Sequence, residues 1–332
     1  MNIVRRRSIV VATLIASAFA STLVHAQGAG STRWPQKPVR IIVPFGPGGA
    51  ADSLPRLVGV KLAEMWGQPV VIENRTGAAG NIGMEAGAKS PADGYTLLSA
   101  PVGNLTVNPH LYPKFTLDVF KDLTAITLIA SVQNVIVVNS TIPANTLQAF
   151  VALAKQKPGN YTFASGGNGT QAHLGGEILK AMAGIDMTHV AYKGVGDAVR
   201  DLLGGQTQLM VAQLPSVLPH IQSGKLRALG IAANQRTGVL PNLPTVNEAG
   251  GFKDFEAVSW YALVGPAGMP REVVERIQAD VAKAIAMPDV RDKLLGLGAD
   301  PVGGTQQELL AIMKTDFERY GAVVRRLGIR AD

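Results

Sequence analysis

One pattern constrains this chain more than any other: an apolar strand that runs directly into a glycine-rich turn and then a helix. It occurs first at 39–52, where VRIIV is followed by PFGPGGAAD. It returns at 69–83, where PVVIE leads into NRTGAAGNIG, and again at 161–173, where YTFA leads into SGGNGTQAH. Short apolar runs bounded by turn residues read as buried strands. Between the first two runs, Leu54, Leu57, Val58, Leu62 and Met65 recur at helical spacing over 51–66, and Gly67 follows as a C-cap. A third strand is expected at 95–99. The order βαβαβ predicts a parallel sheet with right-handed crossovers.

The rest of the chain continues in this style. Residues 126–139 form a long apolar run with polar breaks, expected as a strand. Asn145 and Gln148 have capping-box spacing and open a predicted helix through Lys155. Further strands are expected at 190–192, 209–212, 226–232 and 257–264, with short helices at 197–203 and 216–223. A loop is expected at 242–250. Helices at 271–286, 289–295 and 306–327 close the chain. Two sets of βα units fit two α/β domains, and ligands of open α/β sheets bind at the carboxyl ends of strands. The long runs at 126–139 and 257–264 are read as the crossings between the domains, returning the C-terminal helices to the first.

The N-terminus reads as an export signal. Arg5, Arg6 and Arg7 precede an apolar stretch over 9–24, and small residues flank a cleavage point before Gln27. Residues 1–26 are therefore expected to be removed and 27–33 to form a linker. About 300 residues remain, enough for two domains. The chain has no cysteine, which excludes thiol catalysis and cysteine-zinc sites. Removing the three signal arginines from a net charge of +7 leaves +4, scattered along the chain, so nucleic-acid binding is not expected. The expected location is the periplasm.

The glycine turns are the candidate chemistry. Free N–H groups at a helix start carry partial positive charge and hold anions without a cationic side chain. The plainer alternatives are a tight turn, helix-sheet packing, or ordinary capping by Asn168 or Thr170. Gly46-Pro47-Gly48-Gly49-Ala50-Ala51 also fits G-x-G-x-x-A, with Glu73 near the position of a ribose-binding acid. Against a nucleotide-dependent oxidoreductase stand the export signal and Pro47, which removes an amide from the turn. There is no G-x-S-x-G elbow and no H-x-x-x-H pair among His110, His173, His189 and His220. No catalytic residue, metal or cofactor is expected.

Several segments together, PFGPGGAAD, NRTGAAGNIG, PADGYTLL, SGGNGTQAHLGGE, YKGVGDAVRDLLGGQ, LPSVLPHIQSGKLRALG, LPTVNEAG and WYALVGPAGMP, resemble the periplasmic solute receptors of tripartite tricarboxylate transporters, the Bug receptors. The resemblance runs from Trp34 to the last helix. It implies a type II periplasmic-binding-protein fold, with two α/β domains, a hinge and an interdomain cleft. Domain 1 would comprise 34–132 plus 254–332, and domain 2 would comprise 133–253.

The resemblance also implies a ligand, a small organic carboxylate held by backbone amides, hydroxyls and waters. Phe45, Gly48, Gly49, Asp52 and Ser53 would form one wall, with Ala78, Ala79 and Asn104 on the same side. Ser165, Gly169, Thr170 and His173 would face them, beside Tyr192, Lys193, Gly194 and Gln213. Where relatives carry Asp-Asn before Leu-Pro-Ser, this chain has Ala212-Gln213, which argues against an amino-acid ligand because its ammonium lacks an acid. Ala191 stands where proline is usual. The implied partner is a membrane permease, with a sensor protein as the alternative, and the implied state is a monomer.

Overall fold

The computed structural model describes residues 34–331. The proposed signal peptide and linker, at 1–33, lie outside the described residues. The compact body runs from Lys37 onward and contains two sheets.

The first sheet is built from β1 (Val39–Val43), β2 (Val70–Asn74), β3 (Thr96–Pro101), β4 (Leu123–Val132), β10 (Ser259–Pro266) and β11 (Ala299–Gly303), in the order β11-β4-β10-β3-β1-β2. β1 pairs in parallel with β2 and β3, as the βαβαβ pattern predicts, whereas β10 runs antiparallel to β3 and β4. The sheet is therefore mixed. The second sheet contains β5 (Asn134–Asn139), β6 (Tyr161–Ser165), β7 (Met187–Ala191), β8 (Leu209–Gln213) and β9 (Leu226–Ile231), in the order β7-β6-β8-β5-β9. Again β6 is parallel to its neighbours and β5 is antiparallel to its own. The central strands β4, β5 and β10 are buried along nearly their whole length, as near-continuous apolar runs require when helices cover both faces. The edge strand β2 is only half-buried.

Helices α1 (Ala50–Trp66), α2 (Asn81–Ala88), α3 (Val102–Thr106), α4 (Asn108–Leu111), α10 (Arg271–Ala286), α11 (Pro288–Gly296) and α12 (Gln306–Leu327) accompany the first sheet. Helices α5 (Leu147–Gln156), α6 (Gln171–Ala183), α7 (Val195–Leu203), α8 (Leu214–Gln222) and α9 (Val246–Gly250) accompany the second. Each lobe has its own apolar core: Leu98, Leu105, Trp260 and Met313 in the first, and Phe150, Phe163, Leu179 and Phe255 in the second.

The chain leaves the first sheet after Val132 and enters the second at Asn134, so the predicted long strand is two strands with one residue, Gln133, between them. It returns between Ile231 and Ser259. The crossings are bound side by side: the Ala232 N–H donates to Asn134 O at 2.8 Å, and Asn134 Nδ2 donates to Ser259 Oγ at 3.1 Å.

Other expectations are revised. Thr146, not Asn145, caps α5, accepting from Ala149 N at 3.1 Å, and Ala149 has no acceptor to complete a box. The expected loop at 242–250 holds α9, opened by a capping box between Thr245 and Glu248. The expected strand at 190–192 lies earlier, at Met187–Ala191. The short helices α3 and α4 and the edge strand β11 were not expected.

Candidate ligand-binding cleft

The strands that lead into helices end at one place. β1 passes through 44–49 into α1, and β3 passes directly into α3. β6 passes through 166–170 into α6, and β7 passes through 192–194 into α7. The first residues of these helices, Ala50 and Ala51, Val102 and Gly103, Gln171 and Ala172, and Val195 and Gly196, line one cavity of about 510 Å³ between the lobes. An α-helix leaves its first N–H groups without intrahelical acceptors. The N-caps Gly49, Pro101 and Gly194 are all extended, and none supplies a side-chain acceptor. The starts of α1, α3 and α7 thus present bare amide donors, together with the positive ends of their dipoles. Only α6 is capped, by Thr170 Oγ1, which accepts from His173 N at 3.3 Å and donates to Gly167 O at 2.8 Å.

The turn at 78–80 is strained. Ala78 and Ala79 have φ of 45° and 51°, a region costly for residues with a Cβ. Asn104 Nδ2 and Asn108 Nδ2 donate to Ala79 O at 2.9 and 3.3 Å and hold it there. Gly80, at φ 89°, takes a conformation that residues with a Cβ rarely adopt, and a Cβ there would also press on Asn104 Nδ2 at 2.7 Å.

Of the residues expected at the site, Phe45, Gly49, Ala79 and Asn104 line the cavity from the first lobe. Gly169, Thr170, Lys193, Gly194 and Gln213 line it from the second. Gly48, Asp52, Ser53 and Ala78 are not on its surface. Asp52 instead knits the turn, accepting from Gly48 N at 3.2 Å, Arg56 Nε at 2.9 Å and Asn74 Nδ2 at 2.8 Å. Burial alone would raise its pKa, but these donors outweigh it and hold the carboxyl below its ordinary value.

Ser165, His173 and Tyr192 also lie behind the cavity wall. Ser165 Oγ is 2.7 Å from His189 Nε2, and the Gly167 N–H donates to it at 3.1 Å. His173 Nδ1 accepts from Gly169 N at 3.1 Å, and its ring stacks on His189 at 4.1 Å. Tyr192 donates to Asp201 at 2.8 Å. Burial, reinforced by His189 and Lys180, pushes His173 down to about 3. Burial and Lys180 push His189 down to about 4. Both rings are neutral at ordinary pH, and in that form His173 accepts from the loop.

Sequence reasoning missed Asp197, Arg200, Met210, Ser259 and Tyr261, all on the cavity surface. Arg200 pairs with Asp197 at 3.0 Å, but the pair is largely exposed and so weak. The only signal for it was the charge pattern on α7. Tyr261 and Ser259 carry none, because a strand's sequence does not say which end meets a cleft.

The chain matches known proteins over nearly its whole length. Residues 54–329 match the tripartite tricarboxylate transporter family receptor. BugT of Bordetella pertussis is 36% identical over 313 residues, 94% of this chain and 96% of that protein. Among solved structures, R. palustris Rpa4515 with adipate is 34% identical, with a TM-score of 0.86 over 90% of this chain and 99% of that one. The periplasmic binding protein BugD is 29% identical, with a TM-score of 0.84 over 90% of this chain and 100% of that one. MatC from Rhodopseudomonas palustris with bound malate is 30% identical, with a TM-score of 0.83 over 88% of this chain and 100% of that one. The two-lobed body is thus the periplasmic-binding-protein fold, and the chain belongs to the tripartite tricarboxylate transporter receptor family of solute-binding proteins, which takes in the Bug receptors.

Proposed function

We propose that the protein captures a small organic carboxylate between its lobes in the periplasm and delivers it to the permease subunits of a tripartite tricarboxylate-type transporter. The observation that carries this reading is the convergence of uncapped helix starts, from both lobes, on one cavity. Two relatives are bound to carboxylates, adipate in Rpa4515 and malate in MatC. Residues 1–26 serve as the export signal. Lobes 34–132 plus 254–332 and 133–253 close about the paired crossings. A ligand that touches both walls binds the closed form better and so shifts the hinge equilibrium toward it.

The magnitudes suffice. A charge-assisted hydrogen bond contributes roughly 1.5–3 kcal/mol. A few of these, less ordering and desolvation, reach the ~8 kcal/mol of a micromolar complex.

A backbone donor is tested by proline. Ala50 is the first residue of α1, where proline is tolerated, and Gly49 before it has φ −88° and ψ 171°, a conformation proline permits. Ala50→Pro deletes the uncapped amide of a residue that lines the cavity. Calorimetric titration with adipate is expected to give micromolar binding to the native protein and about tenfold weaker binding to the variant, with its melting temperature retained. Equal affinity in the two would remove the α1 amides from the site, and no heat from adipate, malate or other short carboxylates would end the carboxylate reading.

A further inference from the structure

The two lobes are joined at the cavity floor by a side-chain pair, one member of which, Gln213, is the N-cap of α8 but does not spend its side chain on capping. Gln213 ends β8 in the second lobe and Tyr261 lies on β10 in the first. Gln213 Nε2 donates to the Tyr261 hydroxyl and, at 3.4 Å, to Ser259 Oγ. Both residues line the cavity, with Met210 and Ser259 beside them. Tyr261 is only 2% exposed. Its hydroxyl accepts from Gln213, and its own proton has no acceptor among the described residues. If the amide is turned over, Tyr261 donates to Gln213 and the amide N–H groups are left over instead. In either orientation the pair offers at least one uncharged donor to the cavity. An unmade hydrogen bond at a buried donor is costly, so the floor selects a ligand atom that accepts there.

Topology sets the spacing between this donor and the starts of α1 and α7; the start of α3, which follows β3, is one strand nearer. In the first sheet β10 is separated from β1, which feeds α1, by β3 alone. In the second, β8 is separated from β7, which feeds α7, by β6 alone. Two strand spacings amount to about 10 Å. An extended chain of about six carbons with an oxygen at each end is about as long as that. The floor itself carries no cation: Met210, Gln213, Ser259 and Tyr261 are all uncharged, whereas Lys193 lies in the turn before α7 and Arg200 is exposed in the last turn of that helix. Burial there pushes the Tyr261 phenol up, because it penalises negative charge. A second carboxylate would meet the same penalty.

We propose that Tyr261 and Gln213 are the specificity determinants of the cleft and that they read an uncharged oxygen at the far end of the ligand. The ligand class is then a monocarboxylate bearing a hydroxyl or carbonyl about six carbons from its acid group, in preference to a dicarboxylate. This rests on the carboxylate reading above and narrows it.

Three acids of equal chain length test it by calorimetric titration of the mature protein: hexanoate, 6-hydroxyhexanoate and adipate. The expected result is 6-hydroxyhexanoate binding about tenfold more tightly than either of the others. In Tyr261→Phe and in Gln213→Leu, the ratio of hexanoate to 6-hydroxyhexanoate dissociation constants is expected to fall toward one. Should either variant fail to fold, the comparison of the three acids on the native protein still decides. Adipate binding tightest, or a ratio that survives both substitutions, overturns the floor assignment and leaves carboxylate capture standing. Absence of binding by all three acids overturns both.

Discussion

His173 and His189 show how much of a binding loop can depend on residues that never reach its surface. Their rings stack behind the loop at 166–170, one accepting from the Gly169 amide and the other bonded to Ser165. Each is held neutral, with its pKa pushed down to about 3 and about 4. In the unfolded chain both titrate near 6.5. Between these values the unfolded state binds more protons than the native state. Their contribution to stability is therefore complete above pH 6.5 and is lost as pH falls toward about 4 for His189 and about 3 for His173, at up to about 1.4 kcal/mol per pH unit for each ring. Denaturant midpoints measured from pH 7 to pH 4.5 are expected to fall steadily, and less steeply in His189→Gln, which keeps a donor near Ser165. A midpoint that does not move between pH 7 and pH 5 would show that these rings protonate freely in the fold.

At the scale of elements, α1 illustrates what holds a ligand turn in shape. Its start was legible from the strand and glycines before it. The role of Asp52 was not, because its partners come from three segments: Gly48, Arg56, and Asn74 at the end of β2. Asp52 also sits in the first turn, where negative charge favours the helix dipole. Asp52→Ala removes the buried carboxylate that these three donors share, and since hydrogen bonds to a charged group are worth roughly 1.5–3 kcal/mol, it is expected to cost on the order of 2 kcal/mol in urea unfolding. A loss below about 0.5 kcal/mol, the range of ordinary surface changes, would show that the turn stands without it. The elements missed in the sequence were short. α3 and α4 span less than a periodicity window, and β11 contains Pro301 and Gly303 in an edge position where strand signals are weak.

At the scale of the whole molecule, the lobes meet over bare backbone. A Cβ on Gly103, at the start of α3, would lie 2.5 Å from Gly169 O in the opposite lobe. Beside it, Tyr112 Oη donates to Asn168 O at 3.4 Å. Gly103→Ala should wedge the lobes apart while sparing both cores. Small-angle scattering in the presence of carboxylate is expected to give a larger radius of gyration than the native protein, with weaker binding in titration. Native values for both would mean that the hinge closes without this contact.

The sequence by itself determined the alternation of strand and helix, the positions of the glycine turns and the long C-terminal helices. Each of these is written in local periodicity and turn chemistry. Only the tertiary structure decided which atoms of those turns face the cavity. The donors there are main-chain N–H groups, which every residue carries, so composition cannot mark them. It also decided which polar residues of the turns, such as Asp52 and His173, are spent inside the wall. It alone brought Gln213 and Tyr261 together across 48 residues, because two strands from different sheets meet only once both sheets have formed.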